Sequence, residues 1–325
     1  MSKIINERAP KSNFFGLPEL ASRTTDWHIP PLLKRMLPRL LVDSLREFRL
    51  TGRFVTPNLP REIELEPLSD DVQASKSISV IVPIHDAPNV TRRCLASLEK
   101  CATKSEIILV DDASKLPETL ELIGDFSSRN EWKVVRHANA LGHSEACRAG
   151  AKVATRQYLC LLNSDTVVTP ACWRRAKEVF ENDQRIGVAG PSTSNANRQT
   201  LAQAADQILS WNDNQIWAFS KHLLAHCREP VLVDVDWISG FALFISRSLW
   251  DEVGGFDPKL PDYGNEVDLC SRVANKGYRI VWIRNAYIHH FGEQSYKVSI
   301  GYEGILARIR AGEIYNKQKH RSSAL

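Results

Sequence analysis

From residue 77 onward, apolar and polar positions switch between two periods. Residues 77–83 form a β-branched run of strand length. Residues 89–101 set Val90, Cys94, Leu95, Leu98 and Cys101 on one helical face, and residues 106–110 are again a strand. This βαβ pattern continues with a helix near 118–128, a strand at 132–136, a helix near 144–154 and a strand at 158–162; Thr169 and Pro170 supply an N-cap and first position for another helix. Residues 186–189 predict a further strand. Alternation this dense predicts an α/β fold with a mostly parallel sheet, helices on both faces and right-handed crossovers. Residues 192–230 are polar and helix-leaning and predict an insertion or lid. Beyond them come an apolar strand region at 231–246 broken at Gly240, a short helix at 248–253, a turn at 254–258, a helix at 266–275 ending before Gly277, and a last strand region at 278–291.

Residues 1–75 lack this alternation and are rich in proline, so they predict a helical and extended appendage to a body at 76–300, with 301–325 a C-terminal helical tail. Within the appendage, residues 31–53 carry Leu37, Leu40, Leu41, Leu45 and Phe48 at helical spacing, with six Lys/Arg elsewhere on the wheel. Such a helix suits a peripheral contact with an anionic membrane surface, and its stripe equally suits packing on the body or on a second subunit.

Charge sharpens that division. The net charge is +4, yet residues 1–60 hold ten Lys/Arg and five Asp/Glu, which leaves 32 against 33 for the rest. A neutral body argues against a nucleic-acid partner. The seven cysteines contain no Cys-x-x-Cys pair and fall mostly in apolar surroundings, as reduced core residues do. No apolar run reaches the roughly 18 residues of a membrane span, and the N-terminus has no signal-peptide core, so the expected location is the cytoplasm or the inner face of the membrane.

The candidate chemistry lies where strands end. Residues 159–162 are apolar and stop abruptly on Asn163, Ser164 and Asp165; residues 110–112 end on Asp111 and Asp112, and residues 83–86 read Pro-Ile-His-Asp. In a parallel sheet these ends converge on one edge, where a base, a ribose and a metal-held diphosphate can bind, and the loop 139–142 falls at the same edge. No Gly-x-Gly-x-x-Gly follows the first strand and no P-loop pattern exists, so phosphates need another device. A divalent cation on Asp165 is the available one.

Taken in order, these motifs resemble a family 2 glycosyltransferase of the GT-A fold, in the branch that adds sugars to surface polysaccharides. The resemblance runs from about residue 77 to 295: Ser-Val-Ile-Val-Pro-Ile-His-Asp at 79–86, Ile-Leu-Val-Asp-Asp-Ala-Ser at 108–114, Leu-Leu-Asn-Ser-Asp at 161–165 in the Asp-x-Asp position, Gly-Gly-Phe-Asp at 254–257, Asn-Glu-Val-Asp-Leu-Cys at 265–270, and His290-Phe291-Gly292 through Ser295 in place of the closing His-x-Gly motif. It implies inverting transfer from a nucleotide-diphosphate sugar to a glycan or lipid-linked acceptor, aided by Mn2+ or Mg2+. Glu266 occupies the position of the general base, and Asp165 and His290 those of metal ligands, with His289 as the alternative because strand neighbours face opposite ways. Pro83, His85, Asp86, Asp111, Asp112, Ser114, Asn139, Gly142, Asn163 and Ser164 would line the nucleotide-sugar site. Trp237 and Gly240 would shape the acceptor side, where Trp237 is equally suited to the core.

Three positions depart from the family pattern. Asn163 replaces the first Asp of Asp-x-Asp, Asn265-Glu266 replaces Glu-Asp, and Arg148 stands where relatives carry Asn, facing either the diphosphate as a second cation or solvent. Two other readings share the pattern. A nucleotidyltransferase has a similar sheet but needs a triphosphate loop that this chain lacks, and a non-catalytic scaffold would accommodate Asn163.

Overall fold

The computed structural model describes residues 5–7, 73–196, 199–205, 210–226, 230–292 and 301–321. The basic stripe at 31–53 lies outside them.

Strand β1 (Ile5–Glu7) is followed by a classical alternation of β2 (Ile78–Ile84), α1 (Pro88–Cys101), β3 (Glu106–Asp111), α2 (Pro117–Asn130), β4 (Lys133–Arg136), α3 (His143–Val153) and β5 (Tyr158–Leu162). Every residue of β5 is buried, as are six of the seven in β2, which is why both read as continuous apolar runs rather than alternating ones. Helices α1 and α3 turn an apolar stripe inward, burying Cys94, Leu95, Leu98 and Cys101 in one and Ala146, Cys147 and Ala151 in the other. After β6 (Thr166–Val168) come α4 (Ala171–Asn182), β7 (Ile186–Ser192), α5 (Ala202–Ala205), α6 (Asp213–His226), β8 (Val231–Asp234), β9 (Ala242–Ser246), α7 (Arg247–Val253), α8 (Asn265–Asn275), β10 (Arg279–His290) and α9 (Gly301–Arg321).

One sheet runs in the order β1-β8-β10-β7-β9-β5-β2-β3-β4, with β6 paired to β10 off this path. Its first-formed half, β5-β2-β3-β4, is parallel throughout, so the carboxyl ends of these strands share an edge. The other half is mixed: β9 enters antiparallel between β5 and β7, and β8 and β6 pair antiparallel with β10.

Residues 192–230, expected to form an insertion or lid, include a helix packed on the body. Helix α6 packs on β10 and buries Ile216, Trp217 and Phe219; Phe219 meets Trp211 at 5.0 Å and Tyr287 at 4.9 Å between ring centroids. It is a wall of the core, masked in the sequence by the polar residues on its outer face.

Helix α3 can lie this close to the sheet because residue 150 is glycine. A β-carbon there would overlap the Ile81 side chain and stand 3.1 Å from Val110 Cγ2, whereas one at Gly124 in α2 meets nothing within 4 Å. Gly150→Ala is expected to lower stability by about 1–3 kcal/mol through overpacking, and Gly124→Ala to raise it by about 0.5–1 kcal/mol. Urea-denaturation midpoints at unchanged slope check both.

Candidate active site

The parallel half delivers Asp86, Asp111 and Asp112 to one edge, and there each carboxylate organises its own loop. Asp86 Oδ1 accepts from the backbone N–H groups of Lys115 (3.0 Å) and Leu116 (2.9 Å), while its own N–H donates to Ser114 Oγ at 3.0 Å. Asp111 Oδ1 accepts from Ser114 N at 2.9 Å and Oδ2 lies 3.1 Å from Arg136. Asp112 takes the N–H groups of Leu141 and Gly142, both at 2.8 Å, and lies 2.8 Å from His137 Nδ1. Loop amides at a sheet edge have no ladder partner, and these carboxylates satisfy them. The floor so built is stiff: Asp86, Ala87 and Ala113 hold positive φ angles of 53°, 56° and 58°. His85 Nδ1 contacts the Asp112 carbonyl at 2.8 Å, Pro83 pairs with Val110 inside the ladder, and Asn139 stands exposed at the tip of its loop. Gly142 takes φ 90°, and a β-carbon on it would meet Pro261 O and Asp262 Oδ1 at 3.0 Å.

Arg148 is engaged by backbone carbonyls and by Glu145, at 3.2 Å. Its Nη1 donates to the carbonyls of Gly254 and Phe256, each at 2.9 Å, because the left-handed turn that ends α7 leaves those oxygens without helical partners. It fastens α3 to the 254–257 turn.

Asp165 is brought to His290 by strand pairing. Strand β6 runs antiparallel to β10 with His290 opposite Thr166, and the ladder continues as Phe291 N donates to the Asp165 carbonyl at 2.9 Å. Asp165 Oδ1 lies 3.2 Å from His290 Nε2. Its neighbour Ser164 is buried. His289 points to the opposite face, where its Nδ1 meets Tyr287 Oη at 2.8 Å among Phe291 and Trp211. On the other ring nitrogen, His290 Nδ1 lies 2.6 Å from the Asn195 carbonyl, which can only accept, so the ring proton sits on Nδ1. Its Nε2 faces the Asp165 carboxylate. An imidazole and a carboxylate side by side, one oriented by a backbone carbonyl, are side chains of the kind a divalent cation takes as ligands. Among the described residues no group of three His, Cys, Asp or Glu gathers to hold a metal by protein ligands alone. The pair therefore matches a cation whose other positions are filled by phosphate and water.

Glu266 lies in the first turn of α8. Burial pushes its carboxyl up to about 7, against backbone hydrogen bonds at Glu266 and Gly264 that lower it. Gly240 keeps the carboxyl open on one side, since a β-carbon there would lie 4.0 Å from Glu266 Cδ. The adjoining Phe241 stacks on His290 at 5.2 Å, and its carbonyl accepts from Asn163 N at 2.9 Å, so residues 240–241 adjoin both groups. Trp237 is half-buried against the core. Asp268 is wholly buried and paired with Arg272 and Lys319 at 2.6 Å, a structural role. Helix α9 braces the loop before Glu266: Asn316 Nδ2 donates to Gly264 O at 2.8 Å, Lys319 and Tyr315 hold Asp257 at 2.6 and 3.0 Å, and Arg308 pairs with Asp262.

His143, absent from the residues singled out by sequence, sits at the centre. Its Nε2 is 3.2 Å from Asn163 Oδ1 and its Nδ1 is 3.3 Å from Asn265 Nδ2. The signal was its place directly after Gly142, at the first position of α3.

The family model described as glycosyl transferase family 2 matches residues 79–242. The chain is 25% identical over 227 residues to the uncharacterized protein y4gI of Sinorhizobium fredii, covering 67% of this chain and 25% of that protein, and 23% identical over 227 residues to the O-antigen biosynthesis protein RfbC of Myxococcus xanthus, covering 67% and 18%. It thus spans a quarter or less of these relatives' length. Among solved structures, the mannosyltransferase PcManGT of Pyrobaculum calidifontis superposes with a TM-score of 0.51 at 16% identity over 83% of this chain and 68% of that one, and GalNAc-T7 with 0.51 at 17% over 88% and 58%. The shared architecture is the GT-A fold.

The raised carboxyl has a consequence for stability. A Glu that is harder to ionise when folded leaves the fold unopposed below about pH 4.5 and opposes it increasingly as pH rises through about 7. Glu266→Gln is therefore expected to melt higher than the wild type above about pH 8, the gap closing toward about pH 5. Thermal melts across that range check it; a gap independent of pH would refute the assignment.

Proposed function

The chain belongs to glycosyl transferase family 2, and from that premise we propose that it is an inverting transferase moving a sugar from a nucleotide-diphosphate donor to a glycan or lipid-linked acceptor hydroxyl, in the building of a surface polysaccharide. The observation that carries the reading is that Glu266, with its carboxyl pushed up to about 7, and the Asp165–His290 pair both adjoin residues 240–241.

In this reading the edge formed by Asp86, Asp111 and Asp112 receives the nucleoside, shaped by the loops those carboxylates hold. Asp165 and His290 hold a divalent cation, which when bound offsets the charge of the departing diphosphate. The acceptor hydroxyl enters beside Gly240. Glu266 takes its proton as the oxygen bonds to the anomeric carbon; the bond from that carbon to the diphosphate breaks on the opposite face and its electron pair leaves with the nucleotide, inverting the centre. A carboxyl near 7 is matched to this work, since a base is most effective when its pKa lies close to the operating pH. The neighbours support the donor and metal classes: PcManGT was solved with GDP-Man and Mn2+, and GalNAc-T7 with UDP, GalNAc and Mn2+. RfbC supports the polysaccharide setting.

Thermal-shift measurements with UDP-, dTDP- and GDP-sugars, with and without Mn2+, should reveal one donor class that raises the melting temperature in a metal-dependent way. With that donor, Glu266→Gln is expected to lower kcat by about 10²–10⁴-fold while donor affinity stays within about threefold. Full transfer by Glu266→Gln would remove it as the base. Asp165→Ala is expected to abolish the metal-dependent part of donor binding, and unchanged metal dependence in calorimetry would refute the metal assignment.

A further inference from the structure

The contacts around His143 determine its protonation state from one backbone proton. Glu266 N–H can only donate, and it meets Asn265 Oδ1 at 2.8 Å, which fixes the orientation of that amide. The amide nitrogen of Asn265 is thereby turned to Ser144 Oγ at 2.8 Å and to His143 Nδ1 at 3.3 Å. Ser144 Oγ gives its own proton to the Leu260 carbonyl, so it accepts from Asn265. An amide nitrogen offers only hydrogens; His143 Nδ1 must accept, and the ring proton is on Nε2, facing Asn163 Oδ1 at 3.2 Å. Burial, which pushes the imidazole pKa down against the upward pull of Asp262, Asp165 and Asp112, agrees with a neutral ring.

We propose that His143 is a positioning residue for sugar transfer, which as the neutral Nε2–H tautomer ties the strand end bearing Asn163 and Asp165 to the start of the helix bearing Glu266. The proposal rests on the transferase reading for its kinetic meaning. It explains both asparagines that depart from the family pattern. A carboxylate at 265 would have no hydrogen for Nδ1 or for Ser144 Oγ, so both would have to reverse their roles. A carboxylate at 163 would still accept from Nε2–H, but would favour a charged ring that has a proton where Nδ1 must accept. The amide at each position keeps the ring neutral and its two nitrogens different. The tie also connects the surroundings of the two groups: Asn163 is held to Phe241 by its backbone, Asn265 to Glu266 by its side chain, and His143 joins them.

The test has two arms on the full-length protein. Histidine 15N NMR, with His143 assigned by its loss in His143→Phe, is expected to show the Nε2–H tautomer near neutral pH. In Asn265→Asp the ring is expected to change to the Nδ1–H or doubly protonated form. In transfer assays His143→Phe, which keeps a ring but neither hydrogen bond, is expected to lower kcat by about 10–100-fold, the size of effect that misplacement of reacting groups by about 1 Å produces, with donor KM within about threefold. His143→Gln, which retains a donor and an acceptor, is expected to recover most of that loss. An Nδ1–H or charged ring in the wild type overturns the proposal, and so does equal kcat in the Phe and Gln variants. A wild type with the expected tautomer but no transfer from any nucleotide sugar overturns the positioning role through the failure of the proposed function, which separates that failure from a wrong hydrogen-bond network.

Discussion

The pairing of β6 with β10 is the constraint on which the site depends. Strand β10 runs parallel to β7 for its first half, shifts register between Ile283 and Tyr287, and then pairs antiparallel with the three residues of β6. Without that change of partner, His290 would end far from the carboxyl edge of β5. With it, Asp165, three residues beyond β5, and His290, the last residue of β10, meet at 3.2 Å. Bulges and register shifts are common beside active sites because they re-aim one side chain while leaving the remainder of a ladder intact. Here the shift lets one strand serve two purposes, as a core strand carrying the fully buried Trp282 and as the carrier of the His290 that meets Asp165.

The shared edge of strand ends was legible in the sequence because parallel strands buried on both faces read as apolar runs, and such runs stop sharply where chain meets solvent. Residues 83–86, 110–114 and 163–165 are such stops, and the alternation with helices implied that they share an edge. What these residues do there was not legible. Asp112 looked like a group awaiting a ligand, whereas it holds the amides of Leu141 and Gly142, whose loop lies about 30 residues away in the chain. Arg148 was equally opaque, since its partners are carbonyls released by the turn at the end of α7. The choice between His289 and His290 needed the β6 register, and three residues of strand carry too little periodicity to predict a non-local pairing. Helix α6 was obscured for another reason: Asp213, Asn214, Gln215 and Lys221 made polar what its buried Ile216 and Phe219 make core.

The asparagines show most directly why departures from a family pattern have to be weighed in three dimensions. Read along the chain, Asn163 and Asn265 are two separate losses of a carboxylate, one weakening a metal site and the other crowding a base. In space they are the two ends of one hydrogen-bonded bridge, 102 positions apart in the chain and joined by a single imidazole. Each substitution removes a negative charge near a group whose ionisation matters. With a second carboxylate at 163, Asp165 would share its neighbourhood with a like charge; with one at 265, Glu266 would face a like charge at the adjacent residue and become still harder to ionise. A carboxyl already raised to about 7 by burial has little room for a further rise before it ceases to act as a base near neutral pH. The amides thus preserve the geometry of the bridge while sparing Glu266 a second cause of elevation, as its proposed role as a base requires.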